Sequence, residues 1–82
     1  MKFNERLKQL RIKSPKMQKE ITKELEINLR TWQNYEHGDA EPDIETLIKI
    51  ADYFEVSIDY LTGRTHNPEI NHEQLDHGKN VG

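Results

Sequence analysis

The chain has 82 residues, no cysteine, a formal net charge of −3 and 33% charged residues. That length makes one small domain with a modest core, and the lack of cysteine excludes a disulfide framework and any thiolate zinc site. No apolar run approaches the roughly 18 residues of a membrane span, and the opening Met1-Lys2-Phe3-Asn4-Glu5-Arg6 lacks a secretory apolar segment, so a cytoplasmic location is expected.

The charge is unevenly spread. Residues 1–35 carry nine bases and four acids, and residues 36–82 carry three bases and eleven acids, giving +5 and −8. A local field decides whether a polyanion is attracted, so the negative total does not exclude one.

Periodicity predicts helices throughout, with no strand pattern and no internal repeat. Helix 1 is predicted over Asn4 to Lys13, with Phe3, Leu7 and Leu10 on one stripe. Helix 2 carries Ile21 and Leu25 on one face. Its start is ambiguous: Ser14-Pro15 is a good pair for N-cap and first helical residue, whereas Met17, just before Gln18, is a poor cap. Helix 3 is better marked. Asn28 is an N-cap, Ile27 and Trp32 form a hydrophobic staple, and Gly38 is placed to end the helix in a left-handed conformation. Asp39-Ala40-Glu41-Pro42 reads as a loop. Asp43 caps helix 4, whose Ile44, Leu47, Ala51 and Phe54 form a stripe flanked by Ile48 and Ile50. Ser57 caps a short helix 5, Val56 and Leu61 form a second staple, and Gly63 ends it.

After Arg64 the composition changes. Residues 65–82 hold only Ile70, Leu75 and Val81 as large aliphatics, too few for a core. The expected division is therefore a domain over 1–64 and a mobile polar tail over 65–82. The alternative is a docked helix framed by Asn67, Pro68 and Gly78.

Projected at 100° per residue from Trp32, Tyr35 and Glu36 fall inward at about 300° and 40°. Gln33, Arg30 and Asn34 fall outward at about 100°, 160° and 200°, with Leu29 on the margin near 60°. Taken alone, such a row is most often an ordinary solvated face. Its chemistry nevertheless fits base edges in a major groove. Arg30 has the fork for guanine O6 and N7, Asn34 or Gln33 can pair with adenine N6 and N7, and Leu29 can meet a thymine methyl.

These segments resemble the Cro/cI-type (XRE-like) helix-turn-helix regulators of phages and bacteria. The similarity covers about residues 3–63. It is carried by L-K-Q-L-R, Q-K-E-I-T-K-E-L, I-N-L-R-T-W-Q-N-Y-E-H-G and E-P-D-I-E-T-L-I-K-I-A-D-Y-F-E-V-S-I-D-Y-L-T-G. The resemblance implies an all-α, compact, five-helix, lambda-repressor-like DNA-binding domain with a short C-terminal tail. Its third helix would enter the major groove, with the second crossing the backbone above it. It places Asn28, Leu29, Arg30, Gln33 and Asn34 at base-facing positions and Gln18 on a phosphate. Lys16, Lys19, Lys23 and His37 are candidate phosphate neighbours. Arg11 and Glu36 fall where the family often pairs an arginine with a glutamate behind helix 3. The pattern is departed from in three places: Lys16-Met17 replaces the usual cap before Gln18, Glu26 the turn glycine, and Trp32 an inner aliphatic.

His72 and His77 flank Glu73 and Asp76, but a spacing of five suits one helical face poorly, so no metal or other cofactor is expected. No glycine-rich phosphate loop, nucleophile elbow or paired carboxylate points to an enzyme. The expected function is sequence-specific binding of double-stranded DNA by a small regulator, acting as a repressor and as a homodimer. The rival reading is a protein-binding adaptor or antitoxin on the same fold, using the acidic half as its surface.

Overall fold

The computed structural model describes residues 1–70. Five helices follow one another: α1 (Phe3–Lys13), α2 (Gln18–Leu25), α3 (Leu29–His37), α4 (Ile44–Tyr53) and α5 (Ile58–Leu61). Among the described residues there is no strand. Leu7, Ile21, Leu25, Trp32, Tyr35, Ile50, Ala51, Val56 and Leu61 make one buried cluster to which every helix contributes. Phe3 meets Tyr35 edge-on at 6.4 Å between ring centroids, tying the start of α1 to α3.

The helix starts fall into two chemical types. Asn28, Asp43 and Ser57 cap α3, α4 and α5 with side-chain oxygens that accept from Arg30, Thr46 and Tyr60 backbone N–H at 2.8, 2.8 and 3.0 Å. The first two helices have no hydroxyl or amide cap. Instead the third helical residue reaches back: Glu5 accepts from Lys2 N–H at 3.0 Å, and Glu20 from Met17 N–H at 3.1 Å. This is the acidic half of a capping box working alone. It fixes the start of α2 at Gln18 rather than at Ser14-Pro15. Ser14 instead closes α1, its own N–H donating to the carbonyls of Leu10 and Arg11.

Four helix ends share one device. Glu26, Gly38, Glu55 and Gly63 all take left-handed backbone, at φ 58°, 83°, 55° and 83°. In each case the following N–H returns five residues: Ile27 to Thr22, Asp39 to Asn34, Val56 to Ala51 and Arg64 to Asp59, at 2.8 to 3.0 Å. That is the Schellman closure. It is expected for the two glycines and carries a Cβ clash at the two glutamates. Glu26, which stands in place of the turn glycine of the resembled pattern, keeps the left-handed backbone, and Glu55 takes it as well.

The structure refines two readings of the sequence. Ile44 and Ile48 do not join the core of α4; they are 74% and 42% exposed. Ile44 lies in the first turn of α4, beyond its neighbours, and the buried seam runs through Ile50 and Ala51, with Leu47 and Phe54 packed against it. Conversely Arg6, one of the nine bases counted toward the positive half, is 2% exposed and so adds little to that half's surface charge. Its guanidinium lies 3.7 Å from the Tyr60 ring centroid, Nε donates to Met1 Sδ at 3.1 Å, and an Nη lies 3.5 Å from His66 Nδ1. A cation stacked on an aromatic face is partly compensated for burial.

Beyond Arg64 the chain stays against the domain as far as it is described. The Pro68 carbonyl accepts from Ser57 N–H at 2.9 Å. Asn67 does not start a helix; its side chain accepts from Glu69 N–H at 3.1 Å, and residues 67–70 are extended or irregular. Gly78 and the His72, Glu73, Asp76, His77 group lie outside the described residues.

Candidate nucleic-acid interface

The site is built on α3, and its inner side is held by charge as well as by packing. Trp32 is fully buried, Tyr35 is 8% exposed and Glu36 is 9% exposed. The Glu36 carboxylate accepts from Trp32 Nε1 at 2.6 Å through Oε2. It also takes a two-pronged bond from Arg11, with Nε to Oε2 at 2.6 Å and an Nη to Oε1 at 3.0 Å. Thus α1 and α3 are bolted together through one carboxylate, and the departure from the family pattern at Trp32 is absorbed because its indole N–H finds an acceptor. The hydrogen bonds to Glu36 raise the Arg11 pKa above its ordinary value against an opposing effect of burial. Burial, with a smaller push from Asp43, raises the Tyr35 phenol.

With that face turned in, Arg30 and Gln33 are exposed on the other side, and Leu29 and Asn34 are half-buried beside them. Asn28 is exposed, but its Oδ1 is occupied in capping α3, which leaves its amide NH₂ to face outward as a donor. All five expected base-facing residues therefore lie on or at the start of one short helix. Their backbone is fixed at the front by the Asn28 cap and at the back by Gly38.

The expected phosphate neighbours divide. Lys19 and Lys23 are exposed on α2, Gln18 is half-buried at its first position, and His37 is exposed next to Gly38. Lys16 is already engaged. Its Nζ lies 2.7 and 2.8 Å from the two Glu24 oxygens, and 5.7 Å from the Tyr53 ring centroid. The Tyr53 hydroxyl donates to the same Glu24 carboxylate. The Lys16 bond, then the Tyr53 bond, lower the Glu24 pKa; reciprocally, hydrogen bonding to Glu24 raises the pKa of Lys16 and of Tyr53. Sequence reading missed this trio, because a contact between the loop before α2, the last turn of α2 and the end of α4 leaves no periodic signal.

Among the described residues there is no group of three metal-ligating side chains and no helix long and apolar enough to cross a membrane. A groove of about 740 Å³ lies between the N-terminal residues and the α3–α4 loop, lined in part by Lys2, Asn4, Tyr35 and His37. It is open, with no convergent set of reactive groups.

The helix-turn-helix domain family matches residues 4–64. The cryptic phage CTXphi transcriptional repressor RstR of Vibrio cholerae serotype O1 (strain ATCC 39315 / El Tor Inaba N16961) is 44% identical over 64 residues, which is 78% of this chain and 57% of the repressor. The HTH-type transcriptional regulator ImmR of Bacillus subtilis (strain 168) is 36% identical over 75 residues, 92% of this chain and 59% of that protein. The chain thus spans well under two thirds of the length of these relatives. A crystal structure of a transcriptional regulator from Listeria innocua superposes with a TM-score of 0.72 at 32% identity, covering 98% of this chain and 74% of the other. The matched segment holds α2 to α5, all of α1 but its first residue, and the exposed row on α3, and the chain belongs to the Cro/cI-type helix-turn-helix family.

Proposed function

We propose that this chain binds double-stranded DNA sequence-specifically as a small cytoplasmic transcriptional regulator, acting as a repressor, with α3 in the major groove. The observation that carries this reading is the pairing of two features on one helix. Arg30 and Gln33 stand exposed on the outside, while Trp32, Glu36 and Arg11 immobilise the inside. Base reading needs forked donors and acceptors held in a fixed place, and a rigid helix supplies that. Asn28, Leu29 and Asn34 complete the base-facing set. Gln18, Lys19, Lys23 and His37 are assigned to phosphates, which set register and carry the salt dependence. The repressor name of a 44% identical relative supports the sign of regulation.

A single domain of this size contacts few bases, so two copies on a two-fold operator are the expected binding unit. Exposed Ile48, Ile58 and Ile70 offer apolar surface for that pairing.

The test is a comparison of two substitutions on a duplex selected from a random pool and on a random duplex. Arg30→Ala is expected to cost about 1–3 kcal/mol on the selected duplex and to relax preference at one base pair. Lys23→Ala should weaken both duplexes alike and lower the salt slope by about one. No binding of any duplex at low salt would refute the reading and favour an adaptor that contacts protein.

A further inference from the structure

Resting on the DNA-binding reading above, we propose that Glu24 is an affinity-limiting residue that withholds the Lys16 ammonium from a backbone phosphate of DNA. Lys16 sits two residues before Gln18, at the start of the helix whose first turn and exposed lysines are assigned to the DNA backbone. Its ammonium nevertheless turns back along α2 onto the Glu24 carboxylate, at 2.7 and 2.8 Å. The pair is not built into the core: the two side chains are 43% and 44% exposed. An exposed lysine–carboxylate pair contributes little to a fold. A phosphate oxygen offers the same ammonium an equivalent acceptor, so a Lys16 freed from Glu24 can take up a phosphate contact.

The acceptor is held in place for this role. Tyr53, at the end of α4, donates its hydroxyl to Glu24 and presents its ring face toward Lys16. Glu24 is therefore preorganised to compete, rather than one of many carboxylates that a lysine visits in turn. The other acid of α2, Glu20, is committed to the Met17 N–H and caps the helix. A domain that must distinguish an operator from random sequence gains from this arrangement. Every sequence-independent phosphate contact strengthens all sites alike, and Glu24 withholds one of them.

The experiment measures affinity for a random-sequence duplex between 50 and 200 mM salt for the wild type, Glu24→Gln, Lys16→Ala and the double variant, with circular dichroism confirming the fold of each. Glu24→Gln is expected to bind more tightly and to steepen the salt slope by about one. The ratio of its affinity to that of the wild type should fall about threefold across that salt range. In the Lys16→Ala background the same Glu24 substitution should leave the slope unchanged. Tyr53→Phe, which removes the hydroxyl and alters no charge, should shift affinity in the same direction by less, and it carries the test if Glu24→Gln does not fold. An equal slope change in both Lys16 backgrounds would show that Glu24 acts only through its general field, and no gain for either Glu24→Gln or Tyr53→Phe would show that the trio is a structural tie; either result overturns the proposal. Failure of the wild type itself to bind any duplex would instead refute the DNA-binding reading.

Discussion

Replacing Glu26 by glycine should make the protein more stable, although the substitution deletes a side chain and loosens the unfolded chain. Glu26 lies at φ 58° and ψ 38°, one step past the end of α2. A Cβ in that region costs about 1–2 kcal/mol. Glycine removes the clash but gives back roughly 0.4–1 kcal/mol through the greater freedom of the unfolded state. The Glu26 side chain is exposed, so little else is lost. The closure itself depends on backbone groups, the Glu26 N–H to Lys23 and the Ile27 N–H to Thr22 at 2.9 Å, and glycine keeps both. The net gain is about 0.5–1 kcal/mol, or about 2–8 °C in Tm for a domain of this size. Thermal unfolding followed by far-ultraviolet circular dichroism measures it, with Glu26→Ala as the control that retains the Cβ and stays near the wild type. Glu55→Gly repeats the test at the end of α4, where φ is 55°. A fall in Tm for Glu26→Gly, with Glu26→Ala unchanged, would refute the strain account.

Other perturbations follow from the same contacts. Glu36→Ala leaves the Trp32 indole N–H and the Arg11 guanidinium without their acceptor; since Arg11 is 24% exposed and can turn to solvent, the expected loss is about 2–3 kcal/mol by urea denaturation. Gly63→Ala should cost about 2–4 kcal/mol, because a Cβ there would lie 1.8 Å from the Met1 carbonyl oxygen on a backbone at φ 83°. Acid should destabilise the fold in a defined way. Hydrogen bonds from Lys16 and Tyr53 lower the Glu24 pKa, and those from Thr46 lower the Asp43 pKa, so their contribution is complete above the ordinary carboxylate range and is lost as pH falls through the depressed folded values. Because both carboxylates are exposed, denaturant midpoints measured from pH 6 down to pH 2 should show only a shallow acid limb from them, and Glu24→Gln should remove only the small part due to Glu24.

The residues differ in how far they announced their places. Asn28, Ile27, Trp32 and Gly38 mark α3 at both ends by local chemistry, so its span and its inner and outer faces follow from order alone. The start of α2 did not, because its cap is a backbone N–H taken by Glu20 from inside the helix, and the eye is drawn to Ser14 and Pro15. Ile44 repeats the apolar spacing of α4 but falls where no neighbour lies beneath it; periodicity gives a face, not the extent of what covers it. Arg6 fails in the opposite sense, since only the later arrival of Tyr60 and His66 makes a buried guanidinium tolerable. The Lys16–Glu24–Tyr53 trio is tertiary in the same way. Membership of the helix-turn-helix family was legible because its pattern lies in caps, turns and core residues, which local rules constrain most strongly.

The protein has one tryptophan, and it lies on the underside of α3, fully buried, with its indole N–H on the Glu36 carboxylate. Intrinsic fluorescence excited at the indole is therefore a single-site optical gauge of how α3 is seated. A duplex that docks on the outer face without disturbing the seat should leave the emission maximum unchanged, whereas one that levers the helix loose should shift it to the red. The fold thus carries its own label for telling rigid docking from induced fit.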